Sequence, residues 1–220
     1  MTAERHLDFT SDNSSGAHPA ILEAIVAANA GPAAAYGADE WTQRAGRALS
    51  HVFEREVAVF LVATGTAANA LALSAVTEPW GAVLCHEFAH IAADECGAPE
   101  FFSGGAKLAG LSGAAGKVTP SAFRDALAIM PRGVVKQAQP QALSLSQATE
   151  CGTLYAPDEI AALAEIARET GMAVHMDGAR IANATAALGG TVDALRATTV
   201  DAGFCAGSSA GNVRRGVRPG

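Results

Sequence analysis

The sequence predicts an α/β fold, a mostly parallel sheet with helices on both faces, and three observations carry that reading. Short apolar runs recur along the chain: "VAVFLV" at 57–62, "GAVLC" at 81–85, "ALSLS" at 142–146 and "MAVHM" at 172–176. Each leads directly into a turn or helix-like segment, "ATGTAANALALSAV", "HEFAHIAADEC", "QATECG" and "DGARIANATAALGG". Amphipathic helical patterns lie between them, and continuous apolar strands alternating with helices belong to a parallel sheet covered on both sides.

The elements follow in order. Pro19 near the start of "HPAILEAIVAANAG" and Gly31 just past its end bracket a first helix. From Trp41, apolar or small residues recur at Ala45, Ala48, Leu49, Val52 and Phe53, a 3.6-residue pattern for a second helix. The run at 57–62 reads as a buried strand, and "ATGTAAN" as the turn into an Ala/Leu helix. "TPSAFRDALAIM" and "APDEIAALAEIARETG" read as amphipathic helices, with Thr119 as N-cap of the first and Gly171 as the terminal glycine of the second. After Thr198 the periodicity fades into "TTVDAGFCAGSSAGNVRRGVRPG", which does not read as the end of a packed domain.

Composition narrows the function classes. With 220 residues, 50% hydrophobic and 17% charged, the chain has material for one sizeable core and is too apolar for disorder. A net charge of -7, with no basic run among aromatics before the C-terminus, argues against nucleic acid as a partner. The N-terminal "MTAERHLDFTSDNSSG" has no apolar signal region, and no stretch nears the roughly 18 apolar residues that a bilayer requires. A cytoplasmic protein with no membrane partner is the expectation. Cys85, Cys96, Cys151 and Cys205 lie far apart without C-x-x-C spacing, as structural, reduced thiols do.

In parallel sheets ligands bind beyond the C-terminal ends of the strands. The polar segments 64–66, 86–90, 147–150 and 177–180 all follow predicted strands. "HEFAH" at 86–90 matches H-E-x-x-H, a zinc-hydrolase motif when both histidines project from mid-helix, with Glu87 as base. The extended form fails at Ala93 and Cys96; Glu150 or Glu159 stays open as a distant third ligand, while His86 falls at a strand end. Zinc is the weaker reading, and no metal ligand is assigned. "GSSAG" at 207–211 fits a nucleophile elbow, but no histidine follows Ser209, the last being His175. "ATGTAAN" offers backbone N–H groups at a helix N-terminus, either an anion cradle or an ordinary βα turn. Asp177 after an apolar strand needs a partner: a ligand cation, a protonated nitrogen, or Arg180 three residues on.

Taken in order, "FTSDN", "AYGAD", "ATGTAAN", "AHIAADECGAPEFF", "SQATECGTLY" and "HMDGARIANA", from about residue 8 to about residue 201, resemble the low-specificity L-threonine aldolase family. These are pyridoxal 5'-phosphate (PLP) enzymes of the aspartate-aminotransferase fold. The resemblance implies the large domain of a fold type I PLP-dependent transferase, C-terminally truncated. Residues 1–30 would form an N-terminal segment and helix, 31–200 the incomplete PLP-binding domain, and 201–220 an irregular Gly/Ser/Arg tail.

By the same resemblance Gly65 and Thr66 cradle the cofactor phosphate, His90 stacks on the pyridine ring and Asp177 partners its nitrogen. Arg180, also beside the cofactor, and Ser11 hold the substrate carboxylate, while Tyr36 and Glu95 stand at the edge of the site. The implied reaction is retro-aldol cleavage of L-threonine or L-allo-threonine to glycine and acetaldehyde. It is carbon–carbon lyase chemistry in a homodimer or homotetramer, with His90 as the best candidate for proton handling. Family members also carry a Schiff-base lysine in a pattern like G-T-K-x-G; here Ser209 takes that position, and Lys107, Lys117 and Lys136 all lie elsewhere. Little or no aldolase activity is therefore expected of this chain. Either the reading frame is disrupted near residue 199, which the abrupt loss of periodicity favours, or the chain is a relative that binds cofactor or partner without catalysis.

Overall fold

The computed structural model describes residue 17 and residues 19–190, with the backbone of 204–206 and 212–214. Two compact units are distinguished, Met1–Ala45 and Gly46–Gly220. In the first, helix α1 (Pro19–Ala28) begins at Pro19, whose fixed φ suits a first turn and whose missing N–H costs nothing there. Asp39 then caps α2 (Glu40–Val52): its carboxylate accepts from the Thr42 N–H at 2.8 Å and the Thr42 hydroxyl at 2.7 Å. The Thr42 N–H, foremost, holds that carboxyl below its ordinary pKa.

The second unit is built on a seven-stranded sheet. Its strands are β1 (Ala58–Phe60), β2 (Gly81–His86), β3 (Lys107–Leu111), β4 (Gln139–Ser146), β5 (Ala173–Asp177), β6 (Phe204–Ala206) and β7 (Asn212–Arg214), in the spatial order β1-β7-β6-β5-β4-β2-β3. From β6 across to β3 all pairs are parallel. Only β7 is reversed, being antiparallel to both β6 and β1, so β1 runs the same way as the other five. The C-terminal ends of β1, β2, β4 and β5 therefore lie along one edge of the sheet.

Four strands differ from the sequence expectation. The run at 57–62 is not a buried strand. Only Ala58–Phe60 is extended, with both its ends exposed, because it is the sheet's outermost strand and pairs on one side alone. β3 was not foreseen; "KLAGL" has neither a continuous apolar run nor alternation, and it forms the opposite edge. Residues 204–206 and 212–214, in the stretch expected to be irregular, are strands; at three residues each they are too short to show periodicity and take their order from pairing.

The helices follow local chemistry. Thr64 caps α3 (Gly65–Ser74), its hydroxyl accepting the Ala67 N–H at 3.0 Å. After β2 come two short helices, α4 (His90–Ala93) and α5 (Ala98–Phe102). Thr119 caps α6 (Pro120–Ile129) through the Ala122 N–H at 3.2 Å. α7 (Pro157–Glu169) starts with Glu159 reaching back to the Ala156 N–H at 2.7 Å. It ends at Gly171, whose φ of 64° is left-handed, a conformation that glycine adopts at least cost. α8 (Ile181–Ala187) follows β5.

Strand alternation divides the core. Leu143, Leu145, Val174 and Met176 pack with Ala82 and Leu84 against Phe123 of α6 and Ile160, Leu163 and Ile166 of α7. The residues between them point the other way: Val83, Cys85 and Ala142 pack with Leu73 of α3 and with Ile91. Ser144, Ser146, His175 and Asp177 share the parity of Ala142, so a buried polar stripe runs down the α3 face. Burial pushes the Cys85 thiol up to about 12, so it stays protonated. No helix among the described residues is long and apolar enough to cross a membrane. Phe123 is fully enclosed. Phe123→Ala is expected to lower stability by about 3–5 kcal/mol in urea unfolding; a loss below about 1 kcal/mol would mean that the α6–sheet core is not as described.

Candidate functional site

Asp177 ends β5 on the α3 face, beside Ser146 of β4 in register. It is buried, and its two oxygens are held by neutral donors: the Ala179 N–H reaches Oδ1 at 3.0 Å and the Asn69 Nδ2 reaches Oδ2 at 3.0 Å. No cation pairs with it among the described residues. Arg180, the alternative partner from sequence, turns away: its Nε and Nη2 donate to the Ala148 carbonyl at 3.3 and 3.1 Å, and Nη2 lies 3.6 Å from Glu150.

Asn69 links this carboxylate to a second one. Its Nδ2 also donates to Glu95 Oε1 at 2.6 Å, and the same oxygen lies 2.9 Å from His90 Nδ1. Glu95 is buried, which raises its pKa, while the hydrogen bonds from Asn69 and His90 pull it back down. His90 opens α4, and its backbone N–H donates to Glu150 Oε1 at 3.0 Å, an oxygen that also accepts from the Ser146 hydroxyl at 2.9 Å. The His90 side chain is 41% exposed, so one edge of the ring is fixed inside and the other is open. Donor atoms of His90, Glu95 and Asp177 lie within 4.8 Å of one another, close enough to surround one small ion, although the two Asn69 amide protons already lie on the two carboxylates.

The same helix brings in the anion cradle. Asn69 sits one turn into α3, whose first residues are Gly65 and Thr66. Thr64 satisfies the Ala67 N–H and the Thr64 carbonyl takes the Ala68 N–H, leaving the N–H groups of Gly65 and Thr66 without a partner among the described residues. Free N–H groups at a helix N-terminus attract an anion.

Of the residues singled out in the sequence, the structure thus gathers His90, Glu95 and Asp177 directly, joins Gly65 and Thr66 to them through α3, and places Arg180 on the next loop. Tyr36 belongs to the first unit, with φ 61° and an exposed side chain. Ser11 and Ser209 lie outside the described residues. The zinc reading of "HEFAH" is corrected by geometry. His86 ends a strand, and both its ring nitrogens are engaged, Nε2 with the Gly113 carbonyl at 3.0 Å and Nδ1 with the Phe88 N–H at 3.1 Å. Missed altogether were Asn69, Ser144 and His175. The last two were accessible from the alternation of "ALSLS" and "AVHMD", where every second residue is polar or small; Asn69 in an Ala-rich helix carried no signal.

Unpartnered helix N-terminal N–H groups and a buried carboxylate with no cation among the described residues thus stand at the C-terminal edge of a parallel sheet, in an α/β protein. The comparisons make this particular. The beta-eliminating lyase family model matches residues 8–212, and the chain belongs to that family. It is 46% identical over 181 residues to the low specificity L-threonine aldolase of Pseudomonas aeruginosa, covering 82% of this chain and 52% of the relative. It is 44% identical over 183 residues to the low specificity L-threonine aldolase of a Pseudomonas species, covering 83% and 52%. The threonine aldolase structure from Leishmania major superposes with a TM-score of 0.81 at 27% identity, covering 91% of this chain and 59% of that one. The chain spans about half the length of these relatives.

His175 supports the stripe beneath Asp177. Its Nδ1 pairs with the Ser144 hydroxyl at 2.8 Å, while Nε2 is buried without a partner among the described residues. Burial holds this imidazole below its ordinary pKa of 6.5, against the opposing pull of Asp177. As pH falls below 6.5, the unfolded chain gains a proton that the folded chain refuses, so stability is full above that pH and lost beneath it. His175→Gln, which keeps a partner for Ser144, is expected to remove roughly 1–2 kcal/mol of the stability lost between about pH 7 and pH 5. Parallel pH slopes for variant and parent in urea unfolding would contradict this.

Proposed function

We propose that this chain is the cofactor-binding part of a PLP-dependent L-threonine aldolase, one that cleaves L-threonine or L-allo-threonine to glycine and acetaldehyde when its machinery is whole. The observation that carries the reading is Asp177, a buried carboxylate with hydrogen bonds but no cation among the described residues, tied through Asn69 to the helix whose Gly65 and Thr66 N–H groups have no partner among them. The names of the Pseudomonas relatives support the reaction.

The residues present fit the cofactor. Asp177 would partner the protonated pyridine nitrogen, since a buried carboxylate favours a bound cation. Gly65 and Thr66 would hold the phosphate, and the open edge of His90 would lie against the ring. When bound, PLP supplies an electron sink for the carbanion left as the Cα–Cβ bond breaks. The chain's own part is positioning and proton handling. His90 takes the proton of the β-hydroxyl, its imidazole lying beside Glu95 with one side open. Arg180 would hold the substrate carboxylate with the part of its guanidinium not committed to Ala148. Assembly into two or four copies and a cytoplasmic location belong to the same proposal.

The chain by itself is expected to bind PLP without turning over threonine, because Ser209 at the position aligned with the Schiff-base lysine cannot form an imine. A non-catalytic PLP-binding relative is the second reading, favoured by that serine. Equilibrium titration with PLP is expected to show saturable binding that Asp177→Asn weakens about tenfold or more, corresponding to loss of a charge-assisted hydrogen bond. Borohydride treatment and peptide mapping are expected to mark no single lysine, and glycine release from threonine to stay at background. Affinity unmoved in the variant would remove Asp177 from the site, and specific labelling of Lys107, Lys117 or Lys136 would show that the chain supplies its own lysine.

A further inference from the structure

We infer that Glu95 and Asn69 are positioning residues that hold His90 as its Nδ1–H tautomer, leaving Nε2 as the ring nitrogen that exchanges protons with a bound ligand. The inference rests on His90 belonging to the ligand site, but not on the ligand's being PLP.

The amide of Asn69 sets the pattern. Nδ2 lies 2.6 Å from Glu95 Oε1 and 3.0 Å from Asp177 Oδ2. Turning the amide over would press its oxygen against two carboxylate oxygens, so nitrogen faces both and each amide proton goes to one carboxylate. Glu95 Oε1 is thereby an acceptor. Its remaining lone pair faces His90 Nδ1 at 2.9 Å, and an acceptor there requires a proton on Nδ1. Glu95 Oε2 is buried with no partner among the described residues, where Oε1 alone anchors this carboxyl group. The backbone is pinned as well, by the His90 N–H on Glu150. Nε2 has no partner among the described residues, and the side chain is open on its outer edge.

The consequence is chemical. A histidine whose inner N–H is held by a carboxylate keeps one ring orientation and one tautomer, with its outer nitrogen left as an acceptor. Asn69 keeps the arrangement stable, because it separates two buried carboxylates that would otherwise repel across a dry gap. It also joins the proton-handling group to Asp177, so the two ends of the site share one amide.

The test is a long-range 1H–15N correlation spectrum of the full chain, labelled in its histidines, near neutral pH without ligand, with His90 assigned from the resonance missing in His90→Phe. The expected result is a protonated Nδ1 and an unprotonated Nε2. Glu95→Gln, which keeps an acceptor oxygen, should retain that pattern, whereas Glu95→Leu should lose it for the Nε2–H form usual in water. A protonated Nε2 in the parent chain, or a pattern unmoved by Glu95→Leu, overturns the inference. So does stoichiometric binding of added zinc that shifts His90 and disappears in Glu95→Leu, since the triad would then be a cation site. The parent spectrum decides the question even if the leucine variant fails to fold. A correct tautomer in a chain that does not bind PLP would refute the proposed function and leave this inference standing.

Discussion

Asp177 and Glu95 are two buried carboxylates that meet on one asparagine, and the arrangement around them depends on that meeting. Neither has a lysine or arginine for a partner among the described residues; Asp177 accepts N–H groups of Asn69 and Ala179, and Glu95 Oε1 lies on the Asn69 amide and His90 Nδ1. Burying such groups is costly unless every geometry is right. α3 must dock with Asn69 over the end of β5, and the loop after β2 must return Glu95 to the same point. The sheet supplies the frame. Parallel strands bring their C-terminal ends to one edge, and the period of two puts Ser144, Ser146, His175 and Asp177 on the face that α3 covers.

Much of this was legible because it is local chemistry. Thr119 and Gly171 were placed correctly from the residue types that caps require, and Asp177 was marked by a carboxylate following an apolar strand. What could not be read was set by partners distant in sequence. Whether "VAVFLV" is central or peripheral depends on which strands flank it, and the answer is one strand on one side. Whether Arg180 or a ligand answers Asp177 depends on the loop after β4, where the Ala148 carbonyl captures the guanidinium. "HEFAH" matched a zinc motif letter by letter, yet its first histidine belongs to a strand, where the spacing of a helix has no meaning.

Family membership and the site's chemistry point the same way, but over a chain about half as long as the aldolases it matches. The part present holds the groups that would orient a phosphorylated pyridine: free N–H groups, a carboxylate for its nitrogen, an imidazole for its face. By the resemblance, Ser209 would stand where family members carry the Schiff-base lysine.

The most direct test of the central claim is a crystal structure of this chain soaked with PLP. The account predicts the pyridine nitrogen within hydrogen-bond distance of Asp177, the phosphate on the N–H groups of Gly65 and Thr66, and His90 against the ring. A cofactor bound elsewhere, or a site that stays empty at saturating PLP, would contradict it.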